Sequence, residues 1–237
     1  MFGGKGKTMR KFKVLGLILL SVLVLSCTSC GKVSESKFLE IVNEPMENYT
    51  CEIDMTIRME IQGQNISVPM DLYMEVSETE VYTTTEVQGN KAEVYYEIHG
   101  DYAEVWMNDG YGWEKQSDMS MEKVGTQALL PTEEIEKGDF KYKKGVWEGD
   151  VDKIYDKLAK AIEANLGALQ SMGTFGDIDL ELEVYNIIIE KGEISEVEMK
   201  LSYQMYVAGQ YVDAVAKYQI EFSEIGSTKV TRPSSDE

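Results

Sequence analysis

The chain has few of the side chains on which catalysis and metal binding usually depend. It contains one histidine, His99, which excludes multi-histidine metal sites and leaves a Ser-His-Asp triad with a single candidate base. Of its three cysteines only Cys51 lies beyond residue 30, so no disulfide framework is expected. It also lacks the glycine-rich loop that binds phosphate in nucleotide-binding proteins. We therefore predict a protein that is not an enzyme and that uses neither a metal nor another cofactor.

Basic residues are scarce, with 23 Lys and Arg against 42 Asp and Glu and a formal net charge of −19. This balance disfavours nucleic acid as a partner, because the phosphate backbone is also negatively charged. Three aspartates, Asp150, Asp152 and Asp156, resemble calcium ligands superficially, but the glycine and final glutamate of an EF-hand loop are missing. We interpret them as a helix cap and solvated surface residues. With 43% hydrophobic residues, the chain still has enough apolar side chains to fold.

The first 26 residues differ from the rest of the chain in charge. They carry five positive charges and no acidic residue, so without them the net charge changes from −19 to −24. Residues 14–25 read VLGLILLSVLVL, an apolar run of 12 residues. A membrane-spanning helix needs about 20 such residues. A basic stretch followed by a short apolar run is typical of a signal peptide.

A cysteine follows this run in the sequence VLSCTSCGK. The segment resembles the lipobox of bacterial lipoproteins, in which cleavage exposes a cysteine that then carries diacylglycerol. Cys27 fits the pattern because an apolar residue stands three positions before it. Cys30, which is followed by Gly-Lys, is the alternative lipidation site, and an ordinary cleaved signal peptide and an uncleaved membrane anchor are alternatives to lipidation. The resemblance implies a signal peptide over residues 1–26, a lipid-anchored tether over 27–34, and a place on the extracytoplasmic face of a bacterial cell membrane. The ending GSTKVTRP is similar to the tail of Gram-positive lipoproteins, which implies a Gram-positive cell.

Apolar and polar residues alternate beyond residue 50, which predicts half-buried strands. Residues 51–61 are apolar at every odd position and residues 66–76 at every even position. A four-residue turn over 62–65 would place Ile61 opposite Ile66, with all the apolar side chains on one face. Further strands are predicted at 80–88, 91–98, 102–108, 177–184, 196–207 and 211–222, with a short last strand ending at Val230.

Two-residue hairpin turns join several of these strands. We place them at Gly89-Asn90, Gly100-Asp101, Lys191-Gly192 and Gly209-Gln210. The resulting pairs are Ile98 with Ala103, Leu182 with Leu201, Val184 with Met199, and Met199 with Ile220. Long strands in tight hairpins form a wide antiparallel meander, which twists and must curl.

Two segments have apolar residues at helical spacing and can cover the apolar face of the sheet. Residues 35–44 place Phe38, Leu39 and Val42 on one side, and a longer helix over 150–170 follows the cap at Asp150. We therefore expect an α+β fold with a large curved antiparallel sheet, a half β-barrel. A long helix and a short N-terminal helix would cover its concave apolar face.

The sequence shows no linker after the tether, so we interpret residues 35–232 as one domain followed by a tail over 233–237. This order of elements resembles the LolA/LppX-like lipoprotein superfamily. The resemblance implies a half-barrel closed by helices over an apolar cavity, and a protein that binds lipids or lipoproteins.

Methionine is common on the predicted apolar face. Methionine adapts its shape, so it fills gaps under helices or lines a cavity that accepts varied apolar ligands. The second interpretation gives a candidate ligand-binding set: Met55, Met59, Met70, Met74, Met107, Met199 and Met205.

An alternative function places recognition on the opposite, polar face of the sheet. The predicted registers bring Tyr82, Tyr95 and Trp106 together there. Such rings stack on sugars or contact protein partners, which suggests a tethered domain that recognises a wall polymer or another cell-envelope component.

Overall fold

The computed structural model describes residues 33–61, 63–120, 130–131, 133–158, 179–207 and 210–233. The chain divides into two units, Met1–Ser34 and Glu35–Glu237. Every helix and strand described below belongs to the second unit. In the described ranges we find no helix that is long and apolar enough to cross a membrane.

The described elements are mostly strands. Helix α1 covers Glu35–Asn43, and residues 151–158 are helical and are called α2. The strands are β1 (Tyr49–Ile61), β2 (Gln64–Val76), β3 (Glu80–Val87), β4 (Asn90–His99), β5 (Tyr102–Asn108), β6 (Trp113–Lys115), β7 (Met119–Ser120), β8 (Phe140–Lys143), β9 (Val146–Gly149), β10 (Asp179–Glu190), β11 (Glu193–Val207) and β12 (Gln210–Ser223).

All these strands belong to one antiparallel sheet, in the order β6-β5-β4-β3-β2-β1-β12-β11-β10-β9-β8, with β7 also pairing with β5. The first meander starts at β1 in the middle and runs outward to β6. The second starts at the opposite edge with β8 and returns to the middle, where β12 pairs with β1. The predicted α+β fold with a large antiparallel sheet of meander hairpins and covering helices is confirmed.

Three of the predicted turns differ from the observed ones in length or position. β1 ends at Ile61 and β2 begins at Gln64, so the turn holds two residues and Ile61 pairs with Gln64 rather than Ile66. The turn between β3 and β4 is Gln88-Gly89, with φ of 52° and 82°. Two positive φ values in succession give the turn that matches strand twist, and glycine favours its second position.

The third difference lies between β11 and β12. β11 ends at Val207 and β12 begins at Gln210, so the predicted turn at Gly209-Gln210 is one position too late. The turns predicted at Gly100-Asp101 and Lys191-Gly192 agree with the observed strand ends.

These corrections leave the two faces of the sheet unchanged, because a shift of two residues keeps each side chain on its own side. The predicted pairs Ile98–Ala103 and Leu182–Leu201 are confirmed. Val184 lies opposite Lys200 instead of Met199, since β10 has register shifts at 182/184 and 188/189. Met199 pairs with Tyr218 instead of Ile220.

Helix α1 packs through Phe38 and Ile41, which are both buried. The Phe38 ring stacks on Trp147 with centroids 4.1 Å apart and meets Phe140 edge-on at 5.1 Å. Phe140 in turn meets Tyr185 edge-on at 6.1 Å. Leu39 and Val42, which were expected on the packed side, are half-buried. This aromatic cluster fixes the short helix on the strands of the second meander.

Helix α2 begins after Asp150, whose carbonyl accepts hydrogen bonds from the N–H groups of Lys153 and Ile154. This is the position of an N-cap residue, as the sequence predicted. Ile154 and Leu158 are fully buried. The rest of the predicted helix, residues 159–170, lies outside the described residues.

The C-terminal segment leaves the sheet at Ser223 and crosses the polar face. The predicted strand ending at Val230 is absent there, because this backbone bonds to side chains instead of a strand ladder. The Thr228 N–H donates to Asn48 Oδ1 at 2.7 Å, and the Thr231 N–H donates to Glu75 Oε2 at 2.6 Å. Arg232 Nε lies 2.5 Å from Glu80 Oε1.

Candidate functional site

The inner face of the sheet, which carries the odd residues of β1, is mostly apolar and unevenly buried, with Thr83 and Thr85 of β3 opposite Met74 and Leu72. One row across the sheet runs from Trp147 and Ile187 through Val197, Ile220 and Ile53 to Leu72. The first five are at most 5% exposed, whereas Leu72 is half-buried. Burial is therefore complete on the second meander, where α1 packs, and decreases toward β2.

We call the well-buried part of this face the packed half. Its members, with the two α1 residues, are Phe38, Ile41, Trp147, Leu182, Tyr185, Ile187, Val197, Met199, Leu201, Ala216 and Ile220. The open half consists of inner-face residues that are half-buried or exposed, namely Met55, Ile57, Met59, Val68, Met70, Leu72, Val94 and Met107.

The predicted methionines are divided between these regions. Met199 is fully buried, and Met74 is 5% exposed. Met55, Met59 and Met70 are half-buried, and Met107 is 41% exposed. Met55 pairs directly with Met70 across β1 and β2. The side chain of Met205 lies outside the described part of the structure.

A cavity of about 890 Å³ lies at one end of the inner face. We call it the end cavity. Its apolar lining comes from α1, from consecutive strand ends and from a loop: Val42, Tyr49, Val76, Val81, Ile98, Leu130 and Ile194. The strands bring these residues together because β1 and β3 begin at this end while β2 and β4 finish there.

The mouth of the end cavity is acidic. Five glutamates contribute to its lining, namely Glu44, Glu47, Glu78, Glu133 and Glu134. A second cavity of about 430 Å³, the side cavity, shares Glu44, Glu47 and Glu78 with it. The segment 44–47 thus forms a wall with open space on both sides.

The six predicted methionines with described side chains line neither cavity. The cavity is lined instead by residues that were not predicted as site residues, namely Tyr49, Val76, Val81, Ile98 and Ile194. A usable signal was present, since alternation continues to the ends of these strands and the hairpins place those ends side by side. The alternation does not extend to residues 43–47, and the position of this segment closes the cavity.

The outer-face aromatics form the predicted row, with Tyr82 opposite Tyr95 and Tyr95 opposite Trp106. Tyr82 is 8% and Tyr95 is 3% exposed, so their faces are covered. The Tyr82 hydroxyl donates to Glu93 at 2.5 Å, and the Tyr95 hydroxyl donates to Glu80. Burial together with these carboxylates raises the pKa of both phenols.

Trp106 is half-buried, and the Lys115 ammonium lies 5.2 Å from its ring centroid. The hydrogen bond from Arg232, with that from Tyr95, holds the pKa of Glu80 below its ordinary value despite burial. The three predicted aromatic residues therefore lie in one row. Glu93 and Glu80 accept hydrogen bonds from the two tyrosines, and Glu80 also pairs with Arg232 of the C-terminal segment.

The remaining reactive side chains form no site among the described residues. Cys51 is buried, and desolvation raises the pKa of its thiol to about 12, so it stays protonated. His99 is exposed beside its turn. Asp152 and Asp156 are exposed on α2. In the ranges the structure covers, no three His, Cys, Asp or Glu side chains come together as metal ligands would.

Comparison with known proteins gives similarity of fold only. No family model and no curated protein matches the chain. Among solved structures it is similar to the ywiB protein from Bacillus subtilis, with 10% identity over 74% of this chain and 93% of that one and a TM-score of 0.25.

It is also similar to an outer membrane lipoprotein-sorting protein domain from Vibrio parahaemolyticus, with 7% identity over 79% and 90% of the two chains and a TM-score of 0.28. A LolA superfamily protein from Nitrosomonas europaea gives 9% identity, 80% and 94% coverage and a TM-score of 0.26. Two of these similar structures carry the lipoprotein-sorting and LolA descriptions that the sequence analysis named as a resemblance.

Proposed function

We propose that this protein is a non-enzymatic binding module that holds a lipid-like or other apolar ligand between its sheet and its helices. We further propose that a diacylglycerol-modified cysteine tethers it to the extracytoplasmic face of a bacterial cell membrane. The observation that carries the binding proposal is the end cavity. Its volume of about 890 Å³ lies in the usual range of small-molecule pockets, roughly 300–1,000 Å³.

In the proposed complex the bound chain extends from the end cavity along the inner face toward the open half. On β2, the inward-facing residues after Val76 are Met74, Leu72 and Met70, at successive alternate positions. An alkyl chain that passes over the paired residues Val76 and Val81 can lie along this apolar row once the buried Met74 side chain shifts. Methionine suits such a path because its flexible thioether adjusts to ligands of different shape. In this proposal the predicted methionines bind the chain, while the strand ends hold the part near the mouth.

The energy available is sufficient for reversible binding. Each methylene removed from water contributes about 0.8 kcal/mol. Burying eight of them gives about 6 kcal/mol before the ordering of ligand and side chains is subtracted. We therefore expect affinity to increase with chain length until the apolar path is filled.

The outer face offers less support for the alternative function. A stacking site for sugar rings needs exposed aromatic faces, whereas Tyr82 and Tyr95 are buried beneath their carboxylate partners and Arg232. Recognition of a cell-envelope component by this face stays a prediction. Its test is binding to isolated cell walls by wild type and by a Trp106→Ala, Tyr95→Ala double variant.

Native mass spectrometry of protein purified without detergent tests the binding proposal. A form that starts at Ser34 is suitable, because every described helix and strand lies within Glu35–Glu237. We expect a co-purified apolar species whose mass is lost after extraction with organic solvent. A protein that shows only its own mass, and that takes up no added alkyl amphiphile, would contradict the proposal.

The membrane tether is tested separately by labelling the full-length chain with palmitate. Replacing Cys27 by serine should abolish incorporation, and replacing Cys30 should leave it unchanged. Incorporation lost only in the Cys30 variant would move the anchor to the alternative residue. Incorporation that persists in the double variant would refute lipid attachment at this segment.

A further inference from the structure

We propose that the end cavity selects amphiphiles whose headgroup is positively charged, such as a primary amine, over amphiphiles with an anionic headgroup. The inference rests on the proposed function and names the ligand class for the same site. Two observations support it. The apolar lining of the cavity favours an alkyl chain, and the negative charge at its mouth favours a cationic headgroup.

The described lining of the end cavity contains five glutamates and no lysine, arginine or histidine. Within the described part of the chain, no salt bridge involves Glu44, Glu47 or Glu78. Glu44 and Glu47 are exposed, as is Glu78 in the turn between β2 and β3. A headgroup at the mouth therefore meets negative charge that the nearby described side chains do not neutralise.

The lysine that contacts the mouth segment is already occupied. Lys157 on α2 donates to the carbonyl of Glu134 at 2.5 Å, but its ammonium also lies 3.0 Å from Asp139 Oδ2. Asp139 is buried, and Lys153 approaches its other oxygen at 3.7 Å. The Lys157 ammonium is therefore paired with Asp139 and is not available to bind an anionic ligand at the mouth.

The arrangement fits an organic cation better than a metal ion. A divalent metal needs several oxygen ligands converging at about 2–2.6 Å. No such convergence of acidic side chains occurs in the described residues. Carboxylates spread around a wide mouth instead give a diffuse negative potential, which attracts a large cation and repels a carboxylate or phosphate.

Three amphiphiles with the same twelve-carbon chain test this selection. Dodecylamine, dodecyl maltoside and dodecanoate should be titrated calorimetrically into the form that starts at Ser34, each below its critical micelle concentration. We expect dodecylamine to bind about tenfold or more tightly than dodecanoate, with the maltoside between them. Added salt should reduce the difference between the amine and the carboxylate, because it screens exposed charges.

A charge variant locates the effect at the mouth. The combined substitution Glu44→Gln, Glu47→Gln and Glu78→Gln should remove most of the preference for the amine while leaving maltoside binding unchanged. The matched control replaces three other glutamates by glutamine and should keep the preference. Those three are exposed on strands away from the cavity, namely Glu52, Glu60 and Glu181. Circular dichroism of each variant confirms that the sheet is retained.

The outcomes separate the two proposals. Equal binding of all three amphiphiles, or tighter binding of dodecanoate, overturns the charge selection and leaves apolar binding standing. A preference reduced equally in both triple variants overturns the assignment to the mouth, since overall charge then explains it. Binding of none of the three amphiphiles overturns the proposed function and the selection with it.

Discussion

The packed half and the open half of the inner face have the same alternation but different burial. Met199 and Met55 lie in one row across the sheet, connected through Tyr218. Met199 is fully buried, whereas Met55 is half-buried. The difference follows the position of α1, whose buried Phe38 packs on Phe140 and Trp147 at the second-meander edge of the sheet. Alternation therefore identifies an apolar face, and tertiary contacts decide which part of it is core.

This difference gives each half a different role. The packed half should carry most of the stability, because complete burial of aromatic and branched side chains contributes most per residue. The open half contributes less to stability and keeps apolar surface available for a ligand. The following predictions, ordered from the largest effect to the smallest, test that division.

Replacing Phe38 by alanine should give the largest loss, about 3–5 kcal/mol in the free energy of unfolding. The ring is fully buried and contacts both Trp147 and Phe140, so its removal leaves a cavity in the packed half. Urea denaturation followed by tryptophan fluorescence measures this change. A loss below about 1 kcal/mol would show that α1 is not part of the core.

A matched pair of methionine substitutions compares the two halves directly. Met199→Ala should cost about 2–4 kcal/mol, because a buried side chain leaves a cavity behind. Met59→Ala should cost about 1 kcal/mol or less, because that side chain is only half-buried. Denaturant unfolding measures both losses of stability, and each variant removes the same methionine side chain from the same face of the sheet. Equal losses would mean that the open half is core as well.

Replacing Asp139 by asparagine should destabilise the packing of α2 by about 2 kcal/mol. Burial alone would raise the pKa of Asp139, but the Glu136 N–H and the Lys157 and Lys153 ammonium groups hold this pKa below its ordinary value. Such a group stabilises the fold above its unfolded pKa of about 3.9, and the contribution is lost as pH falls toward the folded pKa.

The variant should therefore lose less stability than wild type when the pH is lowered from about 5 to 3. Thermal unfolding across this pH range provides the measurement. Parallel pH profiles for the two proteins would show that the Asp139 charge does not stabilise the fold.

Arg232→Gln should have the smallest effect, about 1 kcal/mol or less, because its side chain is 67% exposed although its Nε lies 2.5 Å from Glu80. The residue ties the C-terminal segment to the outer face, on the side opposite the open half. Stability should fall slightly and ligand binding should not change. A clear loss of ligand affinity would indicate that the outer face takes part in binding after all.

Much of the fold could be predicted from the sequence, because strand alternation assigns side chains to the correct face even when a turn is misplaced by one position. A turn predicted too long between β1 and β2, and one placed a position late between β11 and β12, shifted both registers by two residues. Every side chain nevertheless stayed on its face. The bulges in β10 do change the pairing, because a one-residue shift places Val184 opposite Lys200. The sequence contains a sign of the first bulge, because the apolar residues change from even to odd positions at Val184 and Tyr185.

The candidate site was less predictable than the sheet. The alternation correctly predicted that the side chains of Met55, Met59 and Met70 lie on the apolar face. The end cavity depends on where residues 43–47, 130–131 and 133–134 lie against the strand ends, and these segments lack the periodicity that predicts strands or helices. Nothing in the sequence distinguishes their glutamates from the other acidic residues, although the fold brings them to the lining of one cavity.

The most direct test of the account fills the end cavity and measures binding. Val42 lines it from the end of α1, so Val42→Trp should occupy part of its volume. Val215→Trp is the matched control, because Val215 is half-buried on the outer face. Calorimetric titration with dodecyl maltoside should show affinity about tenfold or more weaker in the Val42 variant and unchanged in the control. Equal affinity in wild type and in Val42→Trp, with the fold intact, would contradict the claim that this cavity binds an apolar ligand.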